Sequence, residues 1–140
     1  MELNGFTLPH ALSEDLEAGR TKLTADQKQR LTEILTALEK PIPEMFDIDG
    51  ICSENDLWER DFAHLYFGNE SDINPPGNID PQKTLIIGQA EPDSPIALDY
   101  RVDPPRVIYF GDIDKKTYWL LLSPNYETFI DHVKSSKHRG

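Results

Sequence analysis

Residues 45–56 read Met-Phe-Asp-Ile-Asp-Gly-Ile-Cys-Ser-Glu-Asn-Asp, which puts Asp47, Asp49 and Gly50 at the third, fifth and sixth places of a calcium-loop pattern. Such a loop also needs an oxygen ligand at its first place and a bidentate Glu at its twelfth. Met45 and Asp56 stand there instead, and Pro41 and Pro43 break the helix that should lead in. A solvated acidic turn is the expectation. Cys52 lies in the same acidic stretch, which opposes the thiolate that a nucleophile requires. His10, His64, His132 and His138 show no HxH or HxxxH spacing. Gly88-Gln89-Ala90 lacks the second glycine, the Lys and the Ser or Thr of a phosphate loop. Asp112 and Asp114 are paired carboxylates, but they fall in a predicted hairpin turn, where Asp serves turn chemistry. The expectation is a protein that is not an enzyme, with no catalytic residue, no metal site and no cofactor.

Charge carries more information than any of these near misses. Twenty-five Asp and Glu against 14 Lys and Arg leave a net charge of -11. Such a surface is repelled by phosphate backbones and by anionic lipid, and it steers basic proteins toward itself. Nucleic acid and membrane are therefore poor expectations for a partner. The densest acidic segment, residues 44–61, holds Glu44, Asp47, Asp49, Glu54, Asp56, Glu59 and Asp61 against Arg60 alone. The length of 140 residues fits one domain over residues 1–140. A single cysteine cannot close an internal disulfide, and neither a secretory leader nor a membrane-length apolar run is seen, so a cytoplasmic location is expected.

Positioning falls to a helical part over residues 1–68 and to a sheet with a last helix over residues 84–134. Pro9 can open a short helix through Glu17, with Gly19 as its stop. Thr24-Ala25-Asp26-Gln27 is a capping box, and Leu31, Ile34, Leu35 and Leu38 form the core stripe of a helix that Pro41 and Pro43 end. Ser53 is the expected N-cap of a further helix bearing Trp58, Phe62, Leu65 and Tyr66, stopped by Gly68. Residues 69–82 read as a polar, proline-broken loop. Four apolar runs, residues 84–87, 95–100, 107–110 and 117–122, follow at separations too short for crossovers, so they pair antiparallel as a meander. Ser123 and Pro124 open a last helix with Tyr126, Phe129, Ile130 and Val133 on one face, and the basic tail from Lys134 onward should fray. The expected fold is α+β, with a four- to six-stranded, mainly antiparallel sheet packed with N-terminal helices and a C-terminal helix.

The meander also resembles a known family. Ile87-Gly88 at a strand end, Asp93 in the following gap, an apolar strand closing on Asp99, the Pro105 to Tyr109 strand and Phe129 in the last helix are similar to the pattern of the SUKH superfamily. That superfamily includes yeast cell-wall-assembly regulators and many bacterial immunity proteins. The resemblance covers about residues 65–131. Gln89-Ala90-Glu91-Pro92 stands where members often carry glycines, and only Leu8-Pro9 represents the N-terminal Leu-Pro motif. What the resemblance implies is protein binding without catalysis, chiefly neutralisation of toxins, many of them nucleases.

Charge and resemblance together give the functional expectation: an immunity protein that neutralises a cognate, basic toxin domain through acidic surface, as a monomer or weak homodimer. The expected partner-binding residues are Asp47, Asp49, Glu54, Asp56, Glu91, Asp93, Asp103, Asp112 and Asp114, with exposed Trp58 or Tyr118 as an aromatic anchor. The alternative is an intracellular regulatory or scaffold module with no toxin partner.

Overall fold

The strands of the meander form because Ile, Leu, Val and aromatic residues recur between short turn sequences. A computed structural model describes residues 1–58, 63–73, 75–91 and 93–134. Its meander runs β5 (Thr84–Glu91), β6 (Ser94–Asp99), β7 (Arg106–Ile113) and β8 (Lys116–Ser123), every neighbour antiparallel. Strands β5, β7 and β8 reach beyond their apolar runs, and β6 is shifted one residue early, leaving Tyr100 in the following turn. Glu91, Ser94 and Asp112 therefore lie on strands rather than in turns, and the second hairpin closes on Asp114 and Lys115, at φ 52° and 70°.

Two edges that sequence periodicity did not show complete a six-stranded sheet in the order β3-β5-β6-β7-β8-β4, with β3 at Ile42–Met45 and β4 at Pro76–Gly77. Both contain proline, which lacks the N–H of a central position and is tolerated where a strand pairs on one side only. A separate hairpin, β1 (Glu2–Leu3) and β2 (Phe6–Thr7), turns through Asn4 and Gly5, both at positive φ. It docks on the sheet end through Phe6 stacked 4.6 Å from Tyr100, whose hydroxyl donates to Thr7 C=O at 3.0 Å. The architecture is α+β, with helices before and after the sheet.

Three helices differ instructively from expectation. Helix α1 (His10–Glu17) follows Pro9 as expected, and Gly19 stands at φ 68° just beyond it. Helix α2 (Ala25–Ile34) has the full capping box, Thr24 Oγ1 accepting from Gln27 N–H at 3.2 Å and Gln27 Oε1 from Thr24 N–H at 2.9 Å. It ends at Ile34, well before Pro41. The hydroxyl of Tyr109 takes the Ala37 N–H at 3.2 Å, and Ala37 and Leu38 lie against Gly111, so tertiary pairing captures the last turn's groups.

Helix α3 (Ile48–Leu57) starts earlier than expected, because Asp47 and not Ser53 is its N-cap: Asp47 Oδ1 accepts from Gly50 N–H at 2.8 Å. Ser53 sits mid-helix, its hydroxyl donating to Asp49 C=O. Glu59, Arg60, Asp61 and Phe62 of the expected helix lie outside the described residues, as do Pro92 and the tail from residue 135. Ala63–Leu65 form one short 3-10 turn before Tyr66. Helix α4 (Tyr126–Lys134) buries the expected face, but Asn125 caps it, accepting from Thr128 N–H at 2.8 Å.

Strand alternation sorts these parts into layers. Tyr109 points to the α2 side, where α1 and α4 also pack, and Phe110 points to the other. On that second face Trp58, Tyr66, Phe110 and Trp119 form a ring cluster with centroids 5.0 to 6.2 Å apart. No helix of the described residues is long and apolar enough to cross a membrane.

Candidate functional site

The second face meets the outer edge of β5 in two adjoining clefts. Their common wall is Phe46, Glu54 and Gln89. The geometry begins with Gly88: a Cβ there would come within 2.6 Å of Glu44 O and 2.8 Å of Met45 Sδ, so only glycine lets β3 run this close to β5. After Met45 the chain leaves the sheet. Phe46 N–H still donates to Ile87 C=O at 3.0 Å, and Asp47 then turns the chain into α3. One step further along β5, the side chain of Asn55 replaces the missing strand by bonding both backbone groups of Ile86 at 2.8 Å. This fixes α3, and with it Glu54 and Trp58, against the sheet.

The smaller cleft, about 240 Å³, has Phe46, Trp58, Tyr66, Ile86 and Pro95 among its walls and carries Glu54 and Asp93. The Tyr66 hydroxyl donates to Asp93 Oδ1 at 2.5 Å. Burial first, then the hydrogen bond and charge of Asp93, push the Tyr66 hydroxyl up to about 12. The broader groove, about 660 Å³, brings Glu44, Asp47, Glu54 and Glu91 together with Lys22 and Lys28. Gln89 Nε2 donates to Glu44 Oε1 at 3.0 Å across its floor.

Of the residues expected to bind a partner, Asp47, Glu54, Glu91 and Asp93 are thus assembled from two chain segments, α3 with its N-cap and the end of β5 with Asp93 just beyond it. Asp49 is exposed in the first turn of α3, and Asp56 is exposed nearer the N-terminal hairpin, with Asn4 Nδ2 3.5 Å away. Asp112 and Asp114 share a sheet end with Asp93 but line neither cleft. Asp103 lies at the opposite end, in the β6–β7 connection. Trp58 is not an exposed anchor: it is 4% exposed, packed between Tyr66 and Trp119. Its ring is wall, not protrusion. Tyr118 is half-buried.

Tyr66, Phe46 and Gln89 were missed as site residues. No sequence signal marked them: Ile42 is exposed and Pro43 buried, so the burial alternation of Ile42–Met45 does not follow hydropathy.

The chemistry of the remaining groups is structural. Asp99 is fully buried, accepting from Arg101 Nε and Nη2 at 3.0 Å and from Arg106 Nε at 2.9 Å. Desolvation alone would raise its carboxyl, but the bonds from Arg101 and Arg106 outweigh it and hold the group below the ordinary carboxylate value. Asp15 is buried against Lys134 Nζ at 2.8 Å, tying α1 to α4. Among the described residues no group of three or more His, Cys, Asp and Glu is placed to hold a metal ion.

Comparison with protein-family models, with curated proteins and with solved structures gives no significant match.

Proposed function

We propose that this chain is a protein-binding immunity protein of the SUKH type, which neutralises a cognate basic toxin, a nuclease, without catalysis of its own. The observation that carries this reading is the convergence of Glu44, Asp47, Glu54, Glu91 and Asp93 on adjoining clefts, over a floor that includes Phe46 and Tyr66. Apolar walls offer desolvated contact, and the carboxylates around them favour a basic surface while repelling nucleic acid. The acidity of the chain as a whole, -11, adds steering to that local complementarity. The family resemblance implies the same class of partner.

The test is protection in cells. The full chain is co-expressed with any toxin domain found encoded beside it, as wild type, as Glu54→Lys/Asp93→Lys and as Asp112→Lys/Asp114→Lys. Wild type should protect, the first variant should fail, and the second should retain most protection because its residues line neither cleft. Full protection by the first variant would remove the clefts from the binding face. Recovery of a signalling or wall-synthesis protein with no toxin would instead favour a regulatory module.

A further inference from the structure

We infer that the smaller cleft is the seat of one basic side chain, an arginine or a lysine, presented by the protein partner. The inference rests on the proposed protein-binding function and specifies its central contact. Size comes first. At about 240 Å³ the cleft falls below the roughly 300–1,000 Å³ of small-molecule sites. It fits a single inserted side chain better than a cofactor.

Charge comes second. Among the described residues, no lysine or arginine lines this cleft. The buried acids are neutralised internally, Asp99 by Arg101 and Arg106, and Asp15 by Lys134 and Arg20, whereas Glu54 and Asp93 are exposed where they line the cleft. The Glu54 side chain has no hydrogen bond or ion pair among the described residues, and the Asp93 carboxylate has only the Tyr66 hydroxyl on Oδ1, which leaves Oδ2 open. Two carboxylates without cations, set on an apolar cup, are a complement to a partner's cation. The rings of Trp58 and Tyr66, 5.6 Å apart and tilted by 38°, also line the cup, and their faces attract a cation within roughly 6 Å.

The third observation points to a peptide rather than to a bare amine or metal ion. Two buried side-chain polar atoms have no partner among the described residues, Ser13 Oγ and Trp58 Nε1, and only Trp58 belongs to this cleft. An unpaired buried N–H is costly. Trp58 Nε1 is closed off from solvent, so a chain segment that enters with its basic side chain must shift the Trp58 wall before a carbonyl oxygen can take that proton donor, and a bare metal ion offers no such acceptor.

The experiment uses the full chain, labelled with nitrogen-15, titrated with arginine amide, lysine amide and norleucine amide at low salt. Arginine amide should give saturating shifts at the Trp58 indole N–H and at the Gly88 and Gln89 amides. Norleucine amide, which has the apolar stem without the cation, should give none. Glu54→Gln/Asp93→Asn should weaken arginine amide roughly ten-fold. Glu54→Gln alone keeps the Tyr66–Asp93 bond, and its dispersed spectrum separates lost binding from lost folding. Non-saturating shifts, equal shifts with norleucine amide, or unchanged affinity in the double variant would overturn the inference and leave toxin protection as an independent test of the function. If arginine amide binds as expected but Glu54→Gln/Asp93→Asn protects against the toxin as well as wild type, the partner's basic side chain does not sit here, and the proposed binding face falls with it.

Discussion

Asn55 and Ile86 are joined by a two-way pairing: Asn55 Oδ1 accepts from Ile86 N–H at 2.8 Å, and Asn55 Nδ2 donates to Ile86 C=O at 2.8 Å. The same Nδ2 also donates to Ile51 C=O at 2.8 Å. A buried side-chain amide thus serves as one residue's worth of strand where β3 has left the edge. It is also the fixed point from which α3 extends Glu54 and Trp58 over the clefts.

Asn55→Ala should therefore lower stability by roughly 3 kcal/mol, since it leaves buried Ile86 groups unpaired. Asn55→Asp should cost at least as much, because its second oxygen would face two carbonyls. Chemical denaturation of both variants checks this. A loss under about 0.5 kcal/mol, the size expected for an ordinary surface change, would mean that the pairing contributes little.

Gly88→Ala should destabilise by roughly 1–3 kcal/mol, because its Cβ would lie 2.6 Å from Glu44 O, a backbone atom that cannot swing away. The relief is displacement of β3, which carries Glu44. Binding of the partner should weaken along with stability, and a parallel measurement of both in this variant separates it from Gly19→Ala, whose Cβ would meet nothing within 4 Å and whose cost comes only from its φ of +68°, with binding retained.

Asp99 makes stability depend on acid. Its carboxyl is held below the ordinary value of about 3.9, so the unfolded chain takes up the proton first as pH falls. The stabilisation is complete above about pH 4 and is lost as pH drops through the lowered folded value. Asp99→Asn should cost roughly 3 kcal/mol at neutral pH, by leaving Arg101 and Arg106 without their shared carboxylate, and should flatten the acid limb of the stability curve. An acid limb as steep as that of wild type would contradict the assignment.

Tyr66 is expected to titrate at about 12 in the folded protein. A raised folded value means stabilisation present below the ordinary value near 10 and lost as pH rises through 12. In Asp93→Asn the hydrogen bond to a charge is gone, and the Tyr66 transition should move toward 10 while retaining the part due to burial. Difference absorbance between the variant and wild type isolates this tyrosine from Tyr100 and Tyr126, whose hydroxyls are raised chiefly by burial.

The meander, the α2 capping box and the apolar face of α4 were legible because each is a local pattern: β runs between turns, Thr24 with Gln27, and Tyr126, Phe129, Ile130 and Val133 at helical spacing. The Asn4-Gly5 turn was a local signal too, overlooked because strands of two residues carry no periodicity. Strands β3 and β4 were not legible, since proline argues against a strand until the edge position is known. The start of α3 depended on choosing Asp47 over Ser53, and only the exit of β3 at Met45 decides between them. For the site, sequence supplied the acids but not their grouping. Exposure of Trp58 was the misplaced expectation, because burial of an aromatic at a helix end depends on Trp119, sixty-one positions away in the chain.

The most direct measurement is the association of the purified chain with a purified basic nuclease toxin domain of the class the proposed function requires, wild type against Glu54→Lys/Asp93→Lys, at low and at high salt. Wild type should bind, with an association rate that falls as salt rises, and the variant should bind at least about 100-fold more weakly with little salt dependence left. Equal affinities for the two proteins, or a rate indifferent to salt, would contradict binding through the acidic clefts.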